Sequence, residues 1–214
     1  MGDLELASLR RAYQGQLLDE SNTPSEPFSL FKEWLQQAIK AQILEPNAFV
    51  LSTVDAAGRP HARVVLLKGF NPPYIYFYTN YQSAKGLEIA HNPRVAATFW
   101  WDVLERQVRM EGIAEKAPAQ LADEYFASRP HESRLSAWAS PQSQRITRRE
   151  LEALWENYLR YFHINPIPRP EHWGGYQVRI AKVEFWQGRP GRLHDRIVYE
   201  ETKEGLWEKY RLAP

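Results

Sequence analysis

The sequence predicts an α+β protein, mostly antiparallel β, in which a sheet or barrel carries helices at its periphery. Three observations predict it. Strand-like runs follow one another closely, with helices inserted late, and this favours antiparallel pairing over alternating βαβ units. No GxGxxG and no GxxxxGK[ST] occurs, so neither a dinucleotide fold nor a P-loop is indicated. At 214 residues and 43% hydrophobic, the chain suits one compact domain, or at most two small ones. A fold of that size buries roughly 70% of its unfolded surface and needs no disulfide or metal staple.

Taken in order, residues 1–27 are polar and include SNTPSEP, which reads as an arm. Phe31, Trp34, Leu35, Ala38 and Ile39 then keep helical spacing. AFVLSTV (48–54) and HARVVLLKGF (61–70) flank the Gly-containing turn DAAGRP and read as a hairpin. NPP breaks the chain before the strand YIYFYTN (74–80). Ser83 caps a short helix that stops ahead of Pro93. VAATFWWD (95–102) and LERQVRMEGIAEK (104–116) form a second strand pair. Pro118 opens a helix through Ala127, and Pro130 starts another piece. The clearest helix is TRRELEALWENYLRYF (147–162), with Leu151, Leu154, Trp155, Tyr158 and Leu159 on one side. GGYQVRIAKVEFWQG, RLHDRIVYE and LWEKYRL complete the sheet as three strands.

Composition narrows the chemistry. With no cysteine, thiolate zinc sites, disulfides and thiol nucleophiles are all excluded, in keeping with a reducing cytoplasm. The start MGDLELASLRR lacks an apolar h-region, so no signal peptide is expected, and no apolar run nears the roughly 18 residues of a membrane span. A net charge of +1 argues against nucleic acid as partner, so any anion site must be local. The six histidines lack HExxH or paired spacing, so no metal is expected, and no GxSxG elbow supports a serine nucleophile.

Four local clusters could hold an anion. In RLHDRIVYE, strand alternation sets Arg192, His194, Arg196 and Val198 on one face and Leu193, Asp195, Ile197 and Tyr199 on the other. Cations sharing a face repel unless something anionic lies among them; a solvated outer face is the alternative. In YFASRPHES, Tyr125, Arg129 and Ser133 are four apart, and hydroxyls beside a guanidinium suit a phosphate. Pro130 breaks the helix near Arg129, and ordinary helix surface is the alternative there. RVVLLK joins Arg63 to Lys68 through an apolar strand, which equally describes charges flanking a core strand. SAKG puts Lys85 in the first turn of a helix, where unpaired N–H groups also attract anions.

Nine motifs in order, RVVLLK, FYTN, NPRVA, LERQVR, YFASRP, QSQRI, WGGY, EFWQG and RLHDR, make the chain resemble the pyridoxamine (pyridoxine) 5′-phosphate oxidase family from LRRAY at residue 9 to the terminal RLAP. The resemblance implies an FMN-binding split β-barrel spanning 28–214, preceded by an arm that acts as a lid. It implies a homodimer with FMN at the subunit interface. It implies FMN contacts from Arg63, Val64, Val65, Leu66, Leu67, Lys68, Tyr78, Thr79, Lys85, Gln107, Gln142, Ser143, Trp186 and Arg196. Lys68, Tyr125, Arg129 and Ser133 would cradle the substrate phosphate. Arg192, Leu193 and His194 would hold the pyridine ring and reacting arm, with Arg192 and His194 as the catalytic pair. Arg10 and Tyr13 would belong to the lid. One departure stands out: the family commonly has Arg-Lys where this chain has Ala84-Lys85. Losing a charge-assisted hydrogen bond of ~1.5–3 kcal/mol would weaken FMN binding about tenfold or more unless another group substitutes.

The implied reaction is oxidation at C4′ of pyridoxamine or pyridoxine 5′-phosphate to pyridoxal 5′-phosphate. FMN accepts the electrons and O2 reoxidises it, giving hydrogen peroxide, and ammonia from the amine. A split-barrel FMN reductase, or a non-catalytic module binding vitamin B6 or FMN, is the alternative.

Overall fold

The computed structural model describes residues 6–9 and 11–214. It contains five α-helices and nine strands among the described residues: α1 (Pro27–Lys40), β1 (Ala48–Val54), β2 (Pro60–Leu66), β3 (Gly69–Asn71), β4 (Tyr74–Asn80), α2 (Ala84–His91), β5 (Arg94–Trp101), β6 (Arg106–Lys116), α3 (Ala119–Ser128), α4 (His131–Ala139), α5 (Arg148–Tyr161), β7 (Trp173–Gln187), β8 (Asp195–Glu201) and β9 (Trp207–Arg211). The chain divides into two compact units, one of residues through Asn47 with 98–110 and 181–214, the other of 48–97 and 111–180. Strands β5, β6 and β7 run through both.

In the second unit the strand order is β2-β1-β5-β6-β7-β4-β3. The β1–β2 hairpin is antiparallel with Val50 opposite Val64, and its turn is closed by Asp55, which accepts from the Ala57 and Arg59 N–H groups. The run 61–70, expected as one strand, is two: β2 ends at Leu66 and β3 starts at Gly69. The Lys68 N–H pairs instead with the Tyr76 carbonyl. Phe49 and Phe77 fill the space between β1 and β4, and a separate cluster of Phe126, Leu135, Ala137, Phe162, Ile167 and Trp173 packs beneath the helices. Helix α5 carries a capping box between Thr147 and Glu150. Its expected apolar side is only half-buried, and Leu159 is exposed, so no residue of α5 is fully buried.

In the first unit β7 continues into pairing with β8, and β8 pairs with β9, all antiparallel. Helix α1 begins at Pro27 with the Glu26 carboxylate capping the Phe28 and Ser29 amides. Its inner face is Phe28, Leu30, Phe31, Trp34 and Ala38; Ile39, expected among them, is exposed. Phe31 meets Phe99 and Trp101, and Trp34 meets Phe185 edge-on. Burying one such ring contributes roughly 1.5–3 kcal/mol, so these contacts fix the helix to its sheet.

Candidate active site

In the second unit, β2, β4, α2, α3, α4 and the start of β7 enclose a cavity of about 540 Å³. Arg63, Val64, Val65, Leu66 and Lys68 form one wall and Tyr78, Thr79 and Asn80 another. Lys85, Tyr125, Arg129, Ser136, Gln142 and Trp173 close it. Four cations line this space and no carboxylate does. Such a field concentrates anions, and the volume suits a small organic ligand.

One side is an aromatic stack. Tyr78 and Tyr125 lie 3.9 Å apart between centroids at 19°, and Tyr78 is parallel to Trp173 within 10° at 5.7 Å. The WGGY motif makes this stack possible. Gly175 lies opposite Tyr78 in the β4–β7 register, and a Cβ there would sit 2.8 Å from the Tyr78 ring. The Arg129 guanidinium lies over Trp173 at 4.5 Å. Its Nη1 is buried with no hydrogen-bond partner among the described residues, and burial pulls the group below its usual pKa. A buried, unpartnered guanidinium nitrogen facing an anion-attracting cavity fits a ligand acceptor such as a phosphate oxygen.

The other cations divide. Arg63 is engaged: its Nη2 donates to Glu88 Oε2 at 2.8 Å, and its Nη1 donates to the Thr53 hydroxyl. Burial would raise the Glu88 carboxyl, but hydrogen bonds from Thr53 and Arg63 outweigh it and hold the group below its usual range. Lys85 makes no ion pair among the described residues. Its Nζ reaches only the hydroxyls of Thr79 and Ser83, at 3.3 and 3.4 Å, and burial, then Arg63, depresses its pKa. It sits in the first turn of α2, capped by Ser83 as expected, and Gly86 allows that turn to approach the Tyr81 carbonyl. Thr79 also donates to Gln142 Oε1 at 3.4 Å.

The first unit holds a second group of expected residues. Tyr13 packs edge-on against both Trp186, at 5.6 Å, and His194, at 5.3 Å, while Trp186 and His194 are 4.7 Å apart. The expected strand face of RLHDR is overturned in its first half. Pro190–Arg192 is a 3-10 turn, Gly191 and Arg192 have φ of +66° and +62°, and β8 starts only at Asp195. Leu193 is therefore exposed, and His194 is fixed by its Nδ1, which accepts the Arg189 N–H at 3.1 Å. Arg196 sits opposite Trp186 and pairs with buried Glu184 at 2.9 and 3.0 Å. Gln107 lies half-buried on β6.

Most expected second-unit residues meet at the cavity; a few do not. Leu67 is buried, Ser133 lies on the first turn of α4, and Ser143 is exposed with φ of +71°, none of them in the lining. Ser136, one turn beyond Ser133, takes the hydroxyl position at the wall. Asn80, Ser136, Ala137, Ser140 and Trp173 line the cavity unforeseen, and Glu88 with Thr53 hold Arg63 unforeseen. Of these only Asn80 and Trp173 left a signal, as the last residue of FYTN and the first of WGGY. Arg10 lies outside the described residues. No group of three or more His, Cys, Asp or Glu suited to a metal occurs among the described residues, and no helix there is long and apolar enough to cross a membrane.

Residues 35–155 match the family described as pyridoxamine 5′-phosphate oxidase, and 173–214 match the pyridoxine 5′-phosphate oxidase C-terminal dimerisation region. The pyridoxine/pyridoxamine 5′-phosphate oxidase of Pseudomonas paraeruginosa is 53% identical over 98% of both chains. That of Microcystis aeruginosa is 47% identical over 99% of this chain and all of its own. Among solved structures, PhzG from Burkholderia lata in complex with tetrahydrophenazine-1-carboxylic acid superposes with a TM-score of 0.86 at 28% identity, covering 94% of this chain and 99% of its own. A pyridoxamine 5′-phosphate oxidase-related, FMN-binding protein from Nostoc punctiforme shares the fold, with a TM-score of 0.71 at 17% identity over 90% and 100%.

Proposed function

The chain belongs to the pyridoxamine 5′-phosphate oxidase family, and from that membership we propose its reaction: oxidation of pyridoxamine or pyridoxine 5′-phosphate to pyridoxal 5′-phosphate. The observation that supports the site assignment is one cavity lined by no carboxylate, in which Lys68, Lys85 and Arg129 have no ion pair among the described residues, an arrangement suited to phosphorylated ligands. FMN fits the residues present. Lys85, Thr79 and Gln142 form a cationic, hydroxyl-rich corner for its phosphate, and Val64, Val65 and Leu66 form an apolar wall. When bound, FMN supplies the two-electron oxidation, with O2 as the final acceptor giving hydrogen peroxide.

The chain's own residues then bind, orient and handle protons. Arg129, stacked on Trp173, and Lys68 donate to the substrate phosphate, with the Tyr125 ring packed beside them. Arg192, Leu193 and His194 hold the pyridine ring and its reacting arm. Because His194 Nδ1 accepts from Arg189, its neutral ring carries the proton on Nε2, the nitrogen left to exchange a proton with the C4′ substituent. Trp186 and Arg196 serve the FMN ring, with Arg196 held in place by Glu184. The proposal extends to a cytoplasmic homodimer with FMN at the subunit interface, in which residues 1–27 act as an arm and 28–214 as the FMN-binding domain. The matched dimerisation region supports the dimer.

Purified protein should be yellow, with absorbance near 450 nm, and should release peroxide when given pyridoxine 5′-phosphate. A colourless protein that takes up no added FMN would refute the flavin assignment. A yellow protein that forms no peroxide would point to a reductase instead.

A further inference from the structure

We infer that Arg189 is a positioning residue, pinning the segment 11–18 to the turn before β8 so that Tyr13 is seated on His194 and Trp186. The inference deepens the proposed oxidase site and rests on that reading for its catalytic consequence.

Arg189 reaches three partners at once. Its Nη1 donates to the Gly15 carbonyl at 2.5 Å, its Nε lies 3.4 Å from Asp195 Oδ2, and its backbone N–H donates to His194 Nδ1 at 3.1 Å. The same Asp195 oxygen accepts the Leu18 N–H at 3.1 Å, while the other oxygen takes Arg211 at 2.7 Å. Arg211 returns to the segment through the Leu18 carbonyl at 2.8 Å. Asp195 is thus a buried anionic hub with a cation on each side and the segment's backbone between them.

Two glycines show that the seating is close. A Cβ on Gly15 would fall 2.1 Å from Gln187 Nε2 and 2.3 Å from the Gly188 carbonyl. A Cβ on Gly188 would fall 2.8 Å from the Tyr13 ring. Glu105 finishes the attachment, its Oε2 accepting the Gln14 N–H at 2.7 Å. Among the described residues Tyr13 itself makes ring contacts and no side-chain hydrogen bond, so its position over His194 depends on the backbone on either side of it. Gln14 is held by Glu105, Gly15 by Arg189 and Leu18 by Asp195, and of these three anchors only Arg189 is also hydrogen-bonded to His194.

The test compares wild type, Arg189→Ala, Arg189→Lys and Gly15→Ala as purified holoenzymes. Amide hydrogen exchange is followed at Gln14 and Leu18, alongside KM and kcat for pyridoxine 5′-phosphate. Loss of a hydrogen bond made by a charged group predicts about tenfold faster exchange at both amides in Arg189→Ala, and about tenfold higher KM, with exchange in β8 unchanged. Arg189→Lys, able to reach one partner but not both, should recover part of each effect. Gly15→Ala, which lifts the segment without touching Arg189, should reproduce the Arg189→Ala pattern. Unchanged exchange in Arg189→Ala overturns the inference, whatever KM does. Faster exchange with unchanged KM overturns its catalytic part. Wild-type protein that forms no peroxide sinks the oxidase reading alone, because the exchange measurement needs no turnover.

Discussion

Arg129 should matter far more to ligand binding than to stability. Replacing it with Met keeps most of the volume and removes the guanidinium. In the ligand-free protein this deletes a buried Nη1 that has no partner among the described residues, relieving about 1–3 kcal/mol of unsatisfied donor. It also deletes the contact with Trp173 at 4.5 Å, which contributes about 0.5–2 kcal/mol. The net lies between a loss of about 1 and a gain of about 2.5 kcal/mol. At ~2–4 °C per kcal/mol for a chain of this size, Tm should fall by no more than about 4 °C and can rise. Binding falls much further. A phosphate that loses one charge-assisted hydrogen bond loses ~1.5–3 kcal/mol, which raises KM about 10- to 150-fold. Because the phosphate does not react, kcat should change much less than KM. Thermal melts of the apoprotein and peroxide-coupled kinetics with pyridoxine 5′-phosphate measure both arms. A KM within threefold of wild type, or a Tm drop beyond about 8 °C, would show that Arg129 is a structural residue and refute the reasoning.

Three other substitutions probe the same cavity. Ala84→Arg adds a cation at the exposed first position of α2 beside Lys85, and should tighten FMN binding about tenfold in apoprotein titrations; an unchanged Kd would mean that Lys85 and its hydroxyls already suffice. Glu88→Gln removes a carboxylate whose folded pKa lies below its ordinary 4.5, so its stabilisation is present at neutral pH and is lost as pH falls through that lowered value. The variant should melt lower than wild type at pH 7 and converge with it in acid, and parallel melting curves at every pH would count against the ion pair. Gly175→Ala pushes a methyl to 2.8 Å from the Tyr78 ring and 3.1 Å from the Ala117 Cβ, costing about 1–3 kcal/mol; it should lower both Tm and the 450 nm absorbance per protein, and a normal flavin content would detach Tyr78 from the cofactor site.

What was legible in the sequence follows from distance along the chain. Caps, turns and strand alternation are local, so the Ser83 cap and the hairpin turn about Asp55 to Arg59 are readable in the sequence as they stand. In RLHDR, alternation counted from Arg192 starts three residues too early, because the turn signalled by Pro190-Gly191 carries on through Arg192, where the backbone takes two consecutive left-handed residues before β8 begins at Asp195. Arg63 and Glu88 are separated by 25 residues, and Arg189 and Gly15 by 174, so their pairings exist only once the chain is folded. The proposed phosphate cradle is half legible. Tyr125 and Arg129 share the cavity, but Pro130 separates α3 from α4 and shifts the next hydroxyl at the wall from Ser133 to Ser136.

The positive charge in this chain is best understood by asking which cations already have an anion. Arg63 has Glu88, Arg196 has Glu184, and Arg189 and Arg211 share Asp195, each carboxylate being buried. A buried carboxylate beside an arginine fixes the guanidinium in place and cancels most of its field, so these arginines orient aromatic or backbone neighbours better than they attract a ligand. Lys85, Lys68 and Arg129 make no ion pair among the described residues, and all three line the cavity. Desolvation weighs against leaving such charges uncompensated, as the lowered pKa values of Lys85 and Arg129 record. That cost is recovered when an anion enters, which makes the ligand-free cavity less stable than the loaded one. A chain with a net charge of only +1 thus keeps a strongly cationic cavity, because three buried carboxylates sit beside arginines that position and none lines the cavity itself.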